Sequence, residues 1–172
     1  MVLIAYQVGN EVSLDELGKQ LGMNKNTVER YLDLLSKVFV IYSRSGFSRN
    51  LRKEVVKSKR WYLVDNGIRN NLIDDFRPLS IRTDIKALWE QYILSERLKL
   101  NNFAQKAVES YFWRTHHQQE IDLIEVQNQT IMAFECKWKA DKFKIPTAFQ
   151  KAYPEAAFQV VYQANYLEWI GR

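Results

Sequence analysis

Three charged residues stand inside stretches that otherwise read as β-strands. They are Asp122 in Glu120-Ile121-Asp122-Leu123-Ile124, and Glu135 and Lys137 in Ala133-Phe134-Glu135-Cys136-Lys137-Trp138. Side chains alternate across a strand, so Glu135 and Lys137 share one face while Phe134, Cys136 and Trp138 share the other. The apolar set is expected against the core, which leaves an acid beside an ammonium on the second face. If the strand of Asp122 pairs with that of Glu135, two carboxylates converge with Lys137 next to them. Hard oxygen ligands of this kind suit Mg²⁺ or Mn²⁺, with several waters kept on the ion. A cation held there polarises a phosphodiester and acidifies an attacking water, while a lysine orients that water or steadies the charge developing on phosphate. The chemistry expected is phosphodiester hydrolysis. The structural alternative is a solvent-exposed Glu135–Lys137 pair on an edge strand, with Asp122 in a turn.

The elements that must position these residues follow from periodicity. Beyond Arg77-Pro78, residues 84–100 have helical spacing, with Leu88, Trp89 or Tyr92, and Leu98 on the apolar side. Strand-like runs follow at 110–114, 121–126 and 130–138, then a helix at 145–153 and a strand at 158–162. That order describes an α/β layered domain.

The N-terminal part reads differently. Residues 1–8 form a first helix. Ser13 and Glu16 have capping-box spacing, Leu14, Leu17 and Leu21 are helical, and Gly22 can end that helix. Asn24 caps a further helix whose apolar face is Val28, Tyr31, Leu32, Leu35 and Val38. Strands are expected at 39–42 and 61–64, with a turn at 43–46 and a further turn at Asp65-Asn66-Gly67. Helix-turn-helix followed by two strands is the element order of a winged helix. The expected division is residues 1–78 and 79–172.

The segment between those strands is basic. Arg44, Arg49, Arg52, Lys53, Lys57, Lys59 and Arg60 face the single acid Glu54, a larger positive excess than the +5 of the whole chain. Such a connector would meet DNA phosphates, while Lys25, Asn26, Thr27 and Arg30, at the start of the second helix of the helix-turn-helix, would reach a groove. Arg114 is a further phosphate-binding candidate. A single cysteine, Cys136, excludes a disulfide scaffold, and with 47% hydrophobic and 13% aromatic residues the chain can bury a core. The apolar start lacks a basic flank, so neither a signal peptide nor a membrane span is expected and the chain reads as cytoplasmic. His116 and His117 lack zinc-site spacing, and no G-x-x-x-x-G-K-[ST] phosphate loop is present.

Several segments together resemble a known family. They are Glu16-Leu17, Thr27-Val28-Glu29-Arg30-Tyr31-Leu32, the stretch from Lys57 to Gly67, and Leu88-Trp89-Glu90-Gln91-Tyr92-Ile93. Trp113-Arg114-Thr115 with Glu120-Ile121-Asp122, and Phe134-Glu135-Cys136-Lys137, complete the set. In order and spacing they are similar to the domain of unknown function at the C-terminus of many prokaryotic AAA-type ATPases. The fold that resemblance implies is α+β to α/β: a winged helix-turn-helix followed by a PD-(D/E)xK restriction-endonuclease-like domain. It also implies Asp122 and Glu135 as ligands of Mg²⁺ or Mn²⁺, Lys137 as the catalytic lysine, and Glu90, with Glu96 as substitute, as a further acid. Ile121 stands where the motif name places proline. Gln150 and Tyr153 fall one residue short of a related nuclease motif and read as packing residues. The implied partners are DNA and an ATPase module, in cis or in trans, with homo-oligomerisation left open. The competing functions are a non-enzymatic interaction module with a degenerate nuclease fold and a winged-helix transcription factor.

Overall fold

The computed structural model of the chain describes residues 1–49, 59–140 and 143–171. Among these residues it is a mixed α+β protein with seven α-helices and two sheets. Two compact units are present, formed by Met1–Arg44 with Ser58–Ser95, and by Ser45–Lys57 with Glu96–Arg172, as far as those residues are described. The expected boundary at residues 78 and 79 therefore falls inside the first unit.

In the first unit, α1 (Val2–Tyr6) precedes α2 (Leu14–Leu21) and α3 (Lys25–Lys37). Ser13 accepts a bond from the Glu16 N–H at 3.3 Å, and Asn24 accepts one from Thr27 at 2.9 Å, so both expected caps form. Gly22 closes α2 with φ 65°, a conformation that costs glycine little. Gly18 has a different role. A Cβ there would lie 2.6 Å from the Met23 carbonyl oxygen, so the turn between α2 and α3 closes directly over this position. Alanine at an open helix site would add up to about 1 kcal/mol of stability. Gly18→Ala is expected to do the reverse, lowering the urea midpoint by the equivalent of about 1–3 kcal/mol, because backbone must move.

β1 (Ile41–Ser45) and β2 (Lys59–Leu63) form a two-stranded sheet. Glu11 bridges Arg60 in antiparallel sense. The first strand starts two residues later than the sequence suggests. Val38, Phe39 and Val40 donate their N–H groups back to α3, and Phe39 is left-handed with φ 57°. These residues end a helix rather than begin a strand, and β1 instead continues through residues 43–45 of the turn expected at 43–46. A second difference is α4 (Asn66–Ile73), a helix where the sequence suggests only a turn. Asp65 Oδ1 accepts from Gly67 N at 2.6 Å and Ile68 N at 3.3 Å, which makes the turn signal a helix cap.

Four charged side chains, those of Arg69, Arg82, Asp84 and Asp75, fasten this unit together. Arg69 donates to the Ala5 carbonyl at 3.1 Å and to Asp84 at 2.6 Å. Arg82 grips both oxygens of Asp84 at 2.8 Å and also donates to Asn70 at 3.0 Å and the Asp75 carbonyl at 2.7 Å. Asp84 accepts the Leu88 N–H at the start of α5 (Ile85–Phe103), so the network joins α1, α4 and α5. On α5, buried Gln91 accepts from Leu63 N and Ser95 donates to the Leu63 carbonyl, satisfying the end of β2.

The second unit carries β3 (Glu109–Arg114), β4 (Glu120–Gln127), β5 (Thr130–Cys136) and β6 (Ala157–Val161), in that spatial order. The first three are antiparallel, and β6 runs parallel to β5. Every strand lies within a few residues of its expected position. One face packs Trp113, Ile131 and Ala133 against Phe149 of α6 (Thr147–Ala152), Tyr153 and Phe47. On the other face Arg97 of α5 holds Glu125 through two bonds of 2.9 and 2.7 Å and lies over the rings of Phe134 and Trp169, the latter in α7 (Tyr166–Trp169). The sheet is thus covered on both sides. No helix among the described residues is long and apolar enough to cross a membrane.

Candidate functional site

The pairing of β4 with β5 decides whether the two carboxylates meet. Leu123 lies opposite Phe134 and Ile124 opposite Ala133, so the next step along the same register sets Asp122 level with Glu135. Beyond Leu123 the backbone ladder gives way to a side chain: the Cys136 N–H donates to Asp122 Oδ2 at 2.8 Å. The neighbouring Lys137 N–H turns the other way, to the Val161 carbonyl of β6 at 2.9 Å. One acid is thereby fixed to the backbone beside the other.

β5 is an interior strand, flanked by β4 and β6, which removes the alternative of a pair on an exposed edge. The second face is packed as well. Ile131 and Ala133 share that face with Glu135 and belong to the core, so Glu135 is only 4% exposed and Asp122 6%. Lys137 Nζ donates to Glu135 Oε1 at 2.6 Å, whereas Oε2 is buried with no hydrogen-bond partner. A buried carboxylate oxygen without a donor is costly unless something electropositive meets it.

The electrostatics follow. Burial, then the charge of Asp122, push the Glu135 carboxyl up to about 7, against the opposing pull of Lys137. For Lys137, burial works against the charged form, but the bond to Glu135 and the charges of Glu135 and Asp122 outweigh it, and the proton is held more tightly than in a free lysine. Two adjacent carboxylates, one with an unmet oxygen, fit a hard divalent cation that supplies the remaining positions from water. Among the described residues no group of three or more His, Cys, Asp or Glu that could hold a metal ion is present, so within these residues the candidate acids are Asp122 and Glu135. Glu90 lies in the first unit, where it accepts the Tyr62 hydroxyl at 3.0 Å. Its substitute Glu96 pairs with exposed Lys99. Cys136 is buried, as a packing residue should be, and so is Tyr153, while Gln150 is exposed.

The candidate DNA contacts divide. Lys25, Asn26, Arg30 and Lys59 are exposed, Thr27 and Arg114 are half-buried, and Lys25 pairs with Asp15 at 3.4 Å. Arg44 and Arg60 are instead buried. Arg44 donates to the Leu94 carbonyl and lies over the rings of Tyr42 and Tyr62, so in this conformation it has no surface for a phosphate. Arg49 pairs with Glu155. Arg52, Lys53 and Lys57 lie outside the described residues. One residue that the sequence reading missed touches the site: Phe143, whose ring lies 5.1 Å from Lys137 Nζ.

Fold and site thus define a two-unit α+β protein with a buried carboxylate pair and an attendant lysine. Residues 1–79 match the domain of unknown function DUF8612, and residues 86–171 match the domain of unknown function DUF4143. The chain belongs to the DUF4143 family, usually a domain associated with AAA-type ATPases. It is similar to two uncharacterized proteins, of Mycobacterium bovis and Mycobacterium tuberculosis. Each is 30% identical over 123 residues, covering 70% of this chain and 27% of the relative. The matched region therefore spans about a quarter of those proteins. No solved structure matches the chain.

Proposed function

We propose that this chain is the DNA-binding, metal-dependent phosphodiester-hydrolysing part of an AAA-ATPase-associated protein, with a winged helix as its first unit and a PD-(D/E)xK-like second unit. The observation that carries this reading is the convergence of Asp122, Glu135 and Lys137 around an unsatisfied carboxylate oxygen. Asp122 and Glu135 would hold Mg²⁺ or Mn²⁺ through oxygen. The cation, when bound, supplies an acidified water and a polarised phosphoryl oxygen. Asp122 is kept in place by the Cys136 N–H. Lys137 keeps its proton and donates to the phosphate oxygen on which charge builds as water adds to phosphorus and the ester P–O bond breaks. Exposed Arg30 and Lys59 supply phosphate contacts outside the site.

The test is cleavage of labelled single-stranded, linear and circular DNA with Mg²⁺, Mn²⁺ or EDTA. The wild-type protein is expected to cut only with a divalent cation, and Glu135→Ala and Lys137→Ala are each expected to cut at least about a hundredfold more slowly. A second reading rests on its own observation. Tyr31 and Leu34 of α3 and its capping residue Val38 are exposed apolar side chains, followed by Phe39, which is 77% exposed. A groove-reading helix has little use for such side chains, whereas a protein-docking helix does. Salt-sensitive DNA binding without cutting under any metal condition would favour a non-enzymatic module that docks an ATPase or another protein.

A further inference from the structure

Among the described residues the ammonium of Lys137 meets the Glu135 carboxylate and the Phe143 ring. Phe143 is half-buried and stacks on Phe158 of β6, with ring centroids 5.4 Å apart and planes 12° from parallel. The sheet therefore fixes Phe158, Phe158 fixes Phe143, and the face of Phe143 closes one side of the space in which Lys137 can move. A lysine stem has four rotatable bonds, and one partially exposed ion pair gives it weak orientation. An aromatic face adds attraction for the cation at the same place.

We infer that Phe143, backed by Phe158, is the positioning residue for Lys137, holding its ammonium against Glu135 and over the carboxylate pair. This rests on the phosphodiesterase reading only for its consequence in catalysis. The geometric part stands on its own and has its own readout.

The experiment uses the whole chain and three variants: Phe143→Leu, which keeps apolar bulk, Phe143→Trp, which restores an aromatic face, and Lys137→Arg, which assigns the signal. Lysine side chains are labelled with ¹³C and ¹⁵N. The Hε protons of Lys137 are expected upfield of the other lysines because of the ring current, near the ordinary value in Phe143→Leu, and shifted again in Phe143→Trp. Where the wild type cuts DNA, Phe143→Leu is expected to lower kcat about tenfold with KM for DNA unchanged, and Phe143→Trp to recover most of the loss. An unshifted Lys137 in the wild type, a shift that survives in Phe143→Leu, or an unchanged kcat overturns the assignment. A wild type that cuts no DNA sinks the phosphodiesterase reading, and the ring-current shift alone then decides whether Phe143 orients the lysine.

Discussion

Asp84→Ala is expected to destabilise the protein by about 3–5 kcal/mol, the scale for leaving a buried cation without its partner. The side chains of Arg69 and Arg82 are 5% and 1% exposed, and Asp84 is the carboxylate that both hold. Removing it leaves two guanidinium groups buried, Arg69 with the Ala5 carbonyl and Arg82 with Asn70, the Asp75 carbonyl and the Asp75 carboxylate at 3.6 Å. Asp84→Asn keeps the shape but not the charge and should recover only part of the loss. The same network gives a pH dependence. The bond from Arg82 is the largest influence on Asp84, and with Arg69 it holds the carboxyl well below the usual carboxylate range, even against burial. A depressed folded pKa stabilises above the ordinary carboxylate value, and the contribution is lost as pH falls through the folded value. Denaturant midpoints should therefore fall steeply in acid for the wild type and much less for Asp84→Asn. Equal acid slopes for the two proteins would show that the network contributes little.

Glu135→Gln is expected to act in the opposite direction, raising stability in neutral and mildly alkaline solution. The Glu135 carboxyl is shifted from 4.5 to about 7, chiefly by burial and then by Asp122. A raised folded pKa means that the native state binds a proton which the unfolded chain has released. Stability is then greatest below about 4.5 and declines as pH rises through about 7, by roughly 3 kcal/mol in total at this shift. Glutamine cannot ionise, so the difference between variant and wild type should grow from a fraction of its full size at pH 5 to all of it at pH 8. Because the Lys137 bond is weakened as well, the net gain will be smaller than that total. Divalent cation should reverse the ranking: Mg²⁺ or Mn²⁺ at pH 8 is expected to raise the wild-type melting temperature and leave the glutamine variant unchanged. Thermal melts from pH 5 to pH 8, with and without metal, measure both effects. Parallel curves throughout would remove the strained carboxylate, and with it the main support for a cation site.

The strands of the second unit were readable because apolar and charged residues alternate along them, and that periodicity survives into the sheet. The site was readable from the same pattern, since two acids and a lysine break it at Asp122, Glu135 and Lys137. The burial of Glu135 was not legible in its own strand. The residues before it on the same face, Ile131 and Ala133, place it in a covered layer, but whether α6 lies over that layer depends on tertiary packing and not on β5 itself. In the first unit, Asp65-Asn66-Gly67 carries chemistry that serves a turn and a helix cap equally well, so α4 was hidden. Phe39 has strand propensity, yet it occupies a left-handed position because α3 takes up the N–H groups around it. Arg44 and Arg60 looked solvated because they sit in a basic stretch, and only the aromatic stack of Tyr42 and Tyr62 and the bridge to Glu11 explain why they are buried. Phe143 had no sequence signal at all, since its role depends on a stack with a residue from another strand.

The route of the chain limits how this protein could be divided. It leaves the first unit after Arg44, gives a segment to the second, and returns before β2. Within that segment Phe47 donates its N–H to the Phe112 carbonyl at 2.7 Å and packs its ring 5.1 Å from Tyr153 and 5.5 Å from Tyr111. A gene cut at residue 79 would encode a C-terminal product without that ring. The two halves therefore do not behave as interchangeable cassettes. Recombination at the junction between the two matched domains would leave the downstream domain without the Phe47 ring of its own core.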